Sequence, residues 1–362
     1  MKVSLATILR EWGRIGCIGF GGPPTHISLL RDLCVRRKHW LTEHDFEDAI
    51  AACNLLPGPA STQLAIYCAW RLRGRIGALV GGAAFIVPGL TLIIALAALF
   101  LEASPPRWVL GAGAGAGAAV AIVALRSGAS LVPASWTRSP SHLRWIVYLV
   151  AGAAAGALAG PWVVLVLLGC GAIELLVATR PAAVMSLGSL VWVAFKVGAL
   201  SYGGGFVIIP LMQGDAVSHY HWMTGAQFLN AVALGQITPG PVVQTVAVVG
   251  YAAHGISGAL LAALIAFTPS FVFVLAGGRH FDRFRSNARA RSFLDGAGPA
   301  AIGAILGVSI PLARALHEGW QFGVLAAAAV ALLALRRGIV TTLLLAGAVG
   351  VVAALAGAPL PH

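Results

Sequence analysis

The chain has 362 residues, of which 59% are hydrophobic and only 10% are charged. A soluble domain carries about 25% charged residues, so this composition excludes an ordinary soluble protein and predicts an all-α, polytopic membrane protein. The net charge of +12 follows from the collection of Lys and Arg in cytoplasmic loops, and no nucleic-acid partner is needed to explain it.

The first half of the chain reads as a series of apolar helices interrupted by glycine and proline. A helix over 4–20 ends at a glycine turn, and an amphipathic helix follows to about residue 36. Two half-helices, 43–56 and 59–72, flank a Pro-Gly-Pro sequence, because proline stops one helix and suits the first position of the next. Further apolar spans are predicted at 76–101, 108–131, 145–160 and 161–179.

The second half repeats this order, and the residues indicate a duplication. With an offset of 182, Trp40-Leu41-Thr42 aligns with Trp222-Met223-Thr224, and Pro57-Gly58-Pro59 aligns with Pro239-Gly240-Pro241. After a slip of one residue, Pro88 aligns with Pro269. We therefore predict two repeats, 1–180 and 181–362, an arrangement common among secondary transporters. The second-half spans are predicted at 186–204, 206–217, 224–238, 241–253, 256–278, 294–316, 319–335 and 339–357.

The distribution of Lys and Arg predicts that the two repeats have opposite orientations in the membrane. The 71–75 segment holds three arginines, whereas the aligned 252–257 segment holds none. Since Lys and Arg collect on the cytoplasmic side, these equivalent loops are expected on opposite faces. Each repeat is predicted to have about five crossings and one re-entrant hairpin, because basic residues flank the first Pro-Gly-Pro sequence on both sides.

The two Pro-Gly-Pro sequences, here called the first and second break, are the strongest candidates for a substrate site. A helix that starts at Pro59 or Pro241 presents free N–H groups, and its dipole favours negative charge there. Lipid cannot satisfy such backbone, so each break must line a cavity or be covered by protein. The alternative is a pair of kinks that only shape helix packing. The predicted anion-binding residues are Pro57, Gly58, Pro59, Ser61, Thr62, Gln63, Pro239, Gly240, Pro241, Gln244 and Thr245.

Two glycine turns are the second candidate element. Gly21 and Gly22 follow the first predicted helix, and Gly203 and Gly204 stand at the aligned positions. Each turn ends one helix and opens another, so it can offer a nest of backbone N–H groups to an anion. The alternative is a tight turn that lets a neighbouring helix pass.

Arg14 and Lys196 are aligned cations within predicted membrane helices. A cation deep in a membrane costs about 2.5–3.5 kcal/mol even on the gentler insertion scale, so a functional role is the default expectation. We predict that this pair attracts the anion. The alternatives are snorkelling to the membrane surface and pairing with a neighbouring acid such as Glu11.

Three residues are candidates for proton coupling. Glu43 and Asp45 lie in an acidic run that has no charged counterpart in the second half. The simpler interpretation of this run is a solvated helix start, where acids are favoured. His26 is the third candidate, because an ordinary imidazole pKa suits proton exchange near neutral pH.

The paired Phe-Gly-Gly-Pro and Pro-Gly-Pro elements, with Trp-Leu-Thr between them, resemble the chromate ion transporter family in its long, two-domain form. The resemblance covers nearly the whole chain. The second copy departs from the pattern at Gly205, where the first copy has Pro23. The motif residues at matching positions are Phe20, Gly21, Gly22, Pro23, Pro57, Gly58 and Pro59, and then Gly203, Gly204, Gly205, Pro239, Gly240 and Pro241.

The resemblance implies an inner-membrane protein that expels chromate from the cytoplasm under the proton motive force, with sulfate competing. Transport of another small anion is the first alternative. The second is a membrane-embedded enzyme acting on lipid phosphates, but the chain shows no nucleophile motif, nucleotide loop or metal-ligand cluster. The five cysteines include no Cys-x-x-Cys pair, so neither a metal nor a cofactor is expected. The expected partners are the oxyanion, the lipid bilayer and, as one possible assembly, a second copy in a homodimer.

Overall fold

A computed structural model describes residues 3–20, 22–55, 58–101, 105–159, 162–178, 208–277 and 288–361. Every regular element within these ranges is helical. The predicted helix over 186–204 lies outside them. The helices are α1 (Leu5–Ile18), α2 (Pro23–Arg31), α3 (Glu43–Leu55), α4 (Ala60–Phe100), α5 (Arg107–Arg138), α6 (His142–Leu158), α7 (Val163–Ala178), α8 (Ile208–Gln213), α9 (Gly225–Ile237), α10 (Thr245–Gly277), α11 (Ala288–Gly307), α12 (Ser309–Arg314), α13 (Gly319–Ala329) and α14 (Ile339–Leu355).

The long helix α4 consists of two antiparallel arms joined by a sharp turn. Gly74 takes φ 61° and ψ −151°, a conformation that glycine adopts without steric cost. A Cβ placed on Gly77 or on Gly81 would clash with Ala69 of the first arm, so the arms lie in close contact. Helix α10 turns in the same way at Gly255, with φ 59° and ψ −149°. The prediction of separate helices on either side of these two glycines is confirmed.

An ion pair shows that α3 and the first arm of α4 form a hairpin. Asp45 lies in the first turn of α3, and Arg71 lies near the far end of the arm that follows the first break. The guanidinium of Arg71 is 3.3 Å from the Asp45 carboxylate. Because these two ends meet, the chain enters along α3, turns at the first break and returns to the same level.

Local conformations recur 182 residues apart. A π-helical turn at Asp32–Arg37 has a counterpart at Gly214–His219. The left-handed residue His39 (φ 49°) is matched by His221 (φ 53°), although this conformation is uncommon outside glycine. Gly58 (φ 120°) and Gly240 (φ 107°) are matched in the same way at the two breaks.

Small residues bring helices of the two halves together. Helix α5 packs along α14 and α13, whereas α11 packs along α6 and α7. A Cβ on Gly115 would clash with the carbonyl of Ala346, and one on Gly152 would clash with the carbonyl of Ala300. Such backbone contact is typical of helix association in lipid. Helix α5 of the first half therefore packs against the last helices of the second half, and α11 of the second half packs against the last helices of the first half.

Four helical segments among the described residues are long and apolar enough to cross a membrane. Shorter apolar helices accompany them, and several apolar side chains on their surfaces are exposed, as expected for contact with lipid. The chain is thus a multi-pass membrane protein. The long segments are Ala60–Phe100, Arg107–Arg138, Val242–Ala276 and Ser292–Arg314.

Candidate substrate site at the two helix breaks

The first break places the start of α4 among buried polar side chains. Pro59 caps the helix, and its carbonyl accepts the N–H groups of Thr62 and Gln63 at 2.9 and 3.0 Å. The amides of Ala60 and Ser61 precede this first intrahelical bond, as at any helix start. The side chains of Ser61, Thr62 and Gln63 are at most 1% exposed. Of the predicted residues at this break, Pro57 lies outside the described ranges.

A buried histidine connects the first break to α1. His26 is fully buried on α2, with Nδ1 3.3 Å from the Ser61 hydroxyl and Nε2 2.8 Å from the carbonyl oxygen of Gly19. A carbonyl oxygen only accepts hydrogen bonds, so Nε2 carries a proton. In the neutral ring Nδ1 then accepts from Ser61. The ring of Phe85 packs edge-on against this imidazole, with centroids 5.0 Å apart.

The same carbonyl oxygen reaches the second break. Gly240 donates its backbone N–H to Gly19 at 3.1 Å. A chain of three hydrogen bonds therefore runs from Ser61 through His26 and Gly19 to Gly240. The two breaks are neighbours in the interior of the protein, as their predicted joint role requires, and the described residues of both are buried.

Side chains of the second break brace its own backbone. The amide nitrogen of Gln244 donates to Thr238 Oγ1 at 3.1 Å and to the carbonyl of Pro239 at 2.8 Å. The hydroxyl of Thr245 donates to Val242 at 2.8 Å. Pro239, Gly240 and Pro241 are all buried. Gln244 and Thr245 are predicted to donate to an anion, but in the structure they donate these hydrogens to other groups of the protein.

The described glycine turn offers few free N–H groups. Gly22 has φ 75° and precedes two prolines, which have no N–H. The amides of Thr25 and His26 both donate to the Gly22 carbonyl, at 3.1 and 3.2 Å. The first turn of α2 therefore shapes the backbone at this place but offers few N–H donors to an anion. Gly21, Gly203 and Gly204 lie outside the described residues.

The predicted cations do not meet at the breaks within the described part of the chain. Arg14 is exposed on α1, whereas Ile8, Glu11, Trp12 and Ile15 form the buried face of that helix. Glu11 pairs with Arg10 at 3.3 Å and not with Arg14. Lys196 lies outside the described ranges. No Lys or Arg side chain that the structure describes is buried, so the described part of the candidate site offers neutral donors and helix starts and no buried cation.

The acidic proton-coupling candidates are exposed and paired. Glu43 lies 2.9 Å from Arg31, and its side chain is 54% exposed. Asp45 accepts a hydrogen bond from the Thr42 hydroxyl at 2.6 Å and pairs with Arg71. The Thr42 hydroxyl, helped by the nearby Arg71 charge, lowers the pKa of Asp45. This carboxyl is therefore ionised near neutral pH, and both acids lie away from the buried site.

Four polar side-chain atoms in the described interior have no hydrogen-bond partner, two of them in predicted residues and two in residues outside the predicted set. They are the side-chain oxygen of Thr62, the amide nitrogen of Gln236, the amide oxygen of Gln244 and the hydroxyl of Ser270. Sequence reasoning missed Gln236 and Ser270. It also missed Gly19, whose carbonyl joins the breaks. The alignment of Pro88 with Pro269 gave a signal for Ser270, because the next residues, Gly89 and Ser270, occupy equivalent positions.

A basic cavity opens at the turn of α4. Its volume is about 660 Å³, and it is lined by Trp70, Arg71, Gly74, Arg75 and Leu275. Arg71 and Arg75 are exposed there. Among the described residues, no group of three or more His, Cys, Asp or Glu side chains is arranged to hold a metal ion.

Comparison with known proteins identifies the family. The family model described as chromate transporter matches residues 6–175 and 188–352. A chromate transport protein of Cupriavidus metallidurans is 34% identical, over 97% of this chain and 93% of that protein. A probable chromate transport protein of Synechococcus elongatus is 29% identical over 87% and 86%. A chromate transport protein of Pseudomonas aeruginosa is 28% identical over 87% and 83%.

No solved structure matches the chain. The relatives carry the names of transport proteins, and the family match spans both halves of the sequence. The chain therefore belongs to the chromate transporter family and is a transporter, not an enzyme.

Proposed function

We propose that this chain exports chromate from the cytoplasm across the inner membrane, in exchange for protons, and that the oxyanion binds where the two breaks meet. The observation that carries the proposal is the chain of hydrogen bonds from Ser61 through His26 and Gly19 to Gly240. It joins two helix starts of different halves in one buried place. The choice of chromate as the substrate is supported by the relatives that are named chromate transport proteins.

The chemistry of the breaks suits an anion. Helix starts carry partial positive charge and free N–H groups, and neutral side-chain donors surround the first break. With no buried Lys or Arg among the described side chains, binding relies on hydrogen bonds from neutral donors. Such a site releases a dianion more readily than one that pairs it with a buried cation, which suits transport.

The membrane potential favours export. Moving one charge through 100 mV is worth about 2.3 kcal/mol, so a dianion leaving a negative interior gains about 4.6 kcal/mol. This corresponds to a concentration ratio of roughly two thousand. The basic cavity beside Arg71 and Arg75 is placed on the cytoplasmic side in this proposal, where it raises the local concentration of anions.

His26 is the proposed proton carrier. It is the candidate that lies within the buried site, whereas Glu43 and Asp45 are exposed and paired with arginines. Protonation would give Nδ1 a hydrogen and reverse its bond with Ser61, so that the serine oxygen accepts. Protonation of His26 therefore changes the role of the Ser61 hydroxyl at the first break, which no longer donates its hydrogen to the imidazole.

Chromate uptake into inverted membrane vesicles tests the proposal. Inverted vesicles expose the cytoplasmic face, so uptake reports export. We expect uptake that is faster with an imposed proton gradient and inhibited by excess sulfate. Absence of uptake, or uptake of chromate that sulfate never inhibits, would contradict the assignment of a tetrahedral dianion. Arg14→Ala and Lys196→Ala run beside the parent chain test whether either cation attracts the anion.

A further inference from the structure

Two buried hydroxyl groups in the described interior differ from the others in having no hydrogen-bond partner. Seven serine and threonine side chains are buried there. Five have a hydrogen-bond partner: Ser61, Ser127, Thr238, Thr245 and Thr342. The remaining two, Thr62 and Ser270, are both 0% exposed and have none.

A missing partner at Ser270 is unusual for a serine in a helix. Serine and threonine in apolar helices normally donate to the carbonyl one turn earlier, which satisfies the hydroxyl. Thr268, two residues before Ser270 on α10, does this with Leu264 at 2.6 Å. Ser270 leaves its hydrogen free in a buried place, an arrangement that is unfavourable unless a ligand accepts it.

Helix packing brings α10 to the first break. A Cβ on Gly82 would lie 2.5 Å from ring atoms of Phe271 and 2.9 Å from Ile66. Phe271 follows Ser270 directly, and Ile66 lies one helical turn after Thr62. The segment of α10 that carries Phe271 thus packs within about one helical turn of Thr62.

The equivalent position in the first half supports this placement. Gly89 follows Pro88 as Ser270 follows Pro269. A Cβ on Gly89 would clash with the carbonyl of Pro239 and lie 2.8 Å from the Gln244 amide, so Gly89 faces the second break. Gln244 is the counterpart of Thr62 at the offset of 182. If the repeat holds in this detail, Ser270 is expected to face the first break.

We propose that Thr62 and Ser270 donate their hydroxyl hydrogens to the bound oxyanion, which makes the first break the recognition site. Each half supplies one hydroxyl, so a small anion with several acceptor oxygens bridges them. The second break serves as a brace, because Gln244 closes it and Gly89 brings no side chain. This inference rests on the proposed function and adds to it the residues that recognise the substrate.

The test combines transport, binding and stability of Thr62→Val and Ser270→Ala, measured on the full chain with chromate and sulfate as probes. Each variant should raise the KM for chromate uptake and weaken sulfate binding about tenfold or more, because a donor to a charged ligand is lost. Thermal stability without anion should be unchanged or higher, since no hydrogen bond within the protein is removed. Thr268→Val on the same helix is the matched control and should leave the KM unchanged.

The outcomes separate this inference from the proposed function. A parent chain that binds and transports the anions while both variants keep its KM overturns the recognition site alone. Variants that lose thermal stability in the absence of anion also overturn it, because the hydroxyls would then support the fold. A parent chain that neither binds nor transports either anion overturns the proposed function and, with it, this inference.

Discussion

The backbone N–H of Gly240 donates to the carbonyl oxygen of Gly19 at 3.1 Å, and this bond joins the second break to the end of α1. The same oxygen accepts from His26 at 2.8 Å. A carbonyl has two lone pairs, so both bonds are satisfied at once. Gly19 has room for no side chain, since a Cβ there would lie 2.7 Å from the His26 ring. A movement of either break is therefore transmitted to the other through the carbonyl oxygen of Gly19.

The first prediction concerns this junction. His26→Ala should lower thermal stability and reduce chromate uptake at least tenfold, because Gly19 and Ser61 both lose a buried partner. Leaving buried polar groups unsatisfied costs about 1–3 kcal/mol. His44→Ala is the control, because His44 is exposed beside Asp48 and should behave like the parent chain. Uptake into inverted vesicles and thermal unfolding of the purified protein provide the measurements.

A second variant at this position tests proton coupling. Gln can replace the hydrogen bonds of His26 in part but has no group that takes up a proton. Chromate uptake by His26→Gln should therefore respond less to an imposed proton gradient than uptake by the parent chain. An unchanged response would remove His26 as the proton carrier.

The ion pair between Asp45 and Arg71 closes the first hairpin, but its effect on stability should be small. Both side chains are more than one-third exposed, and exposed pairs contribute about 0.2–1 kcal/mol. Asp45→Asn should lower the free energy of unfolding within that range, and Arg71→Gln should add little in a double-mutant cycle. A loss well above this range would mean that the hairpin depends on the pair.

The pH dependence of this contribution has a definite sign. The pKa of Asp45 is lowered in the folded state, so folding favours the charged form. The stabilisation is present above the ordinary carboxyl pKa and is lost as pH falls through the lowered pKa. Thermal unfolding of parent and Asp45→Asn proteins should therefore converge at acidic pH. Divergence at low pH would contradict the assignment.

The sequence was sufficient to predict the helix breaks and the hairpin turns. Proline and glycine act locally, so Pro59 and Gly74 determine where helices end whatever surrounds them. The basic residues on both sides of the first break predicted a re-entrant hairpin, and the contact of Asp45 with Arg71 fits it. These features depend on a few neighbouring residues, which is why reading the chain found them.

The polar atoms that matter at the breaks could not be predicted in the same way. Ser270 is one of several hydroxyl residues in an apolar helix, and only the packing of α10 on α4 gives it a role. Gly19 acts through its backbone carbonyl, which no residue type reveals. The sequence also left open whether Arg14 reaches the site or the surface, because charge cost alone does not tell which face of α1 is buried.

Gly89 provides a sharp test of the contact between α4 and the second break. Gly89→Ala should lower expression and thermal stability strongly, by about 1–3 kcal/mol or more, because its Cβ would meet the carbonyl of Pro239 and the side chain of Gln244. Gly323→Ala on α13 is the control, since nothing lies within 4 Å of its Cβ. Alanine there should leave stability unchanged or raise it by up to about 1 kcal/mol. Equal stability of both variants would contradict the packing described at Gly89.

The last prediction concerns the orientation of the two halves. If they are inverted, the turns of α4 and α10 face opposite sides of the membrane, with the arginine-rich turn inside. Arg75→Cys and Ser257→Cys, each in a chain whose five native cysteines are replaced, place one exposed thiol on each turn. A membrane-impermeant maleimide should label the thiol at position 257 in intact cells and the thiol at position 75 only in inverted vesicles. Detergent should make both accessible, which controls for reactivity. Labelling of both thiols from the same side would mean that the repeats are parallel, and the helix starts at the two breaks would then approach the site from the same side of the membrane.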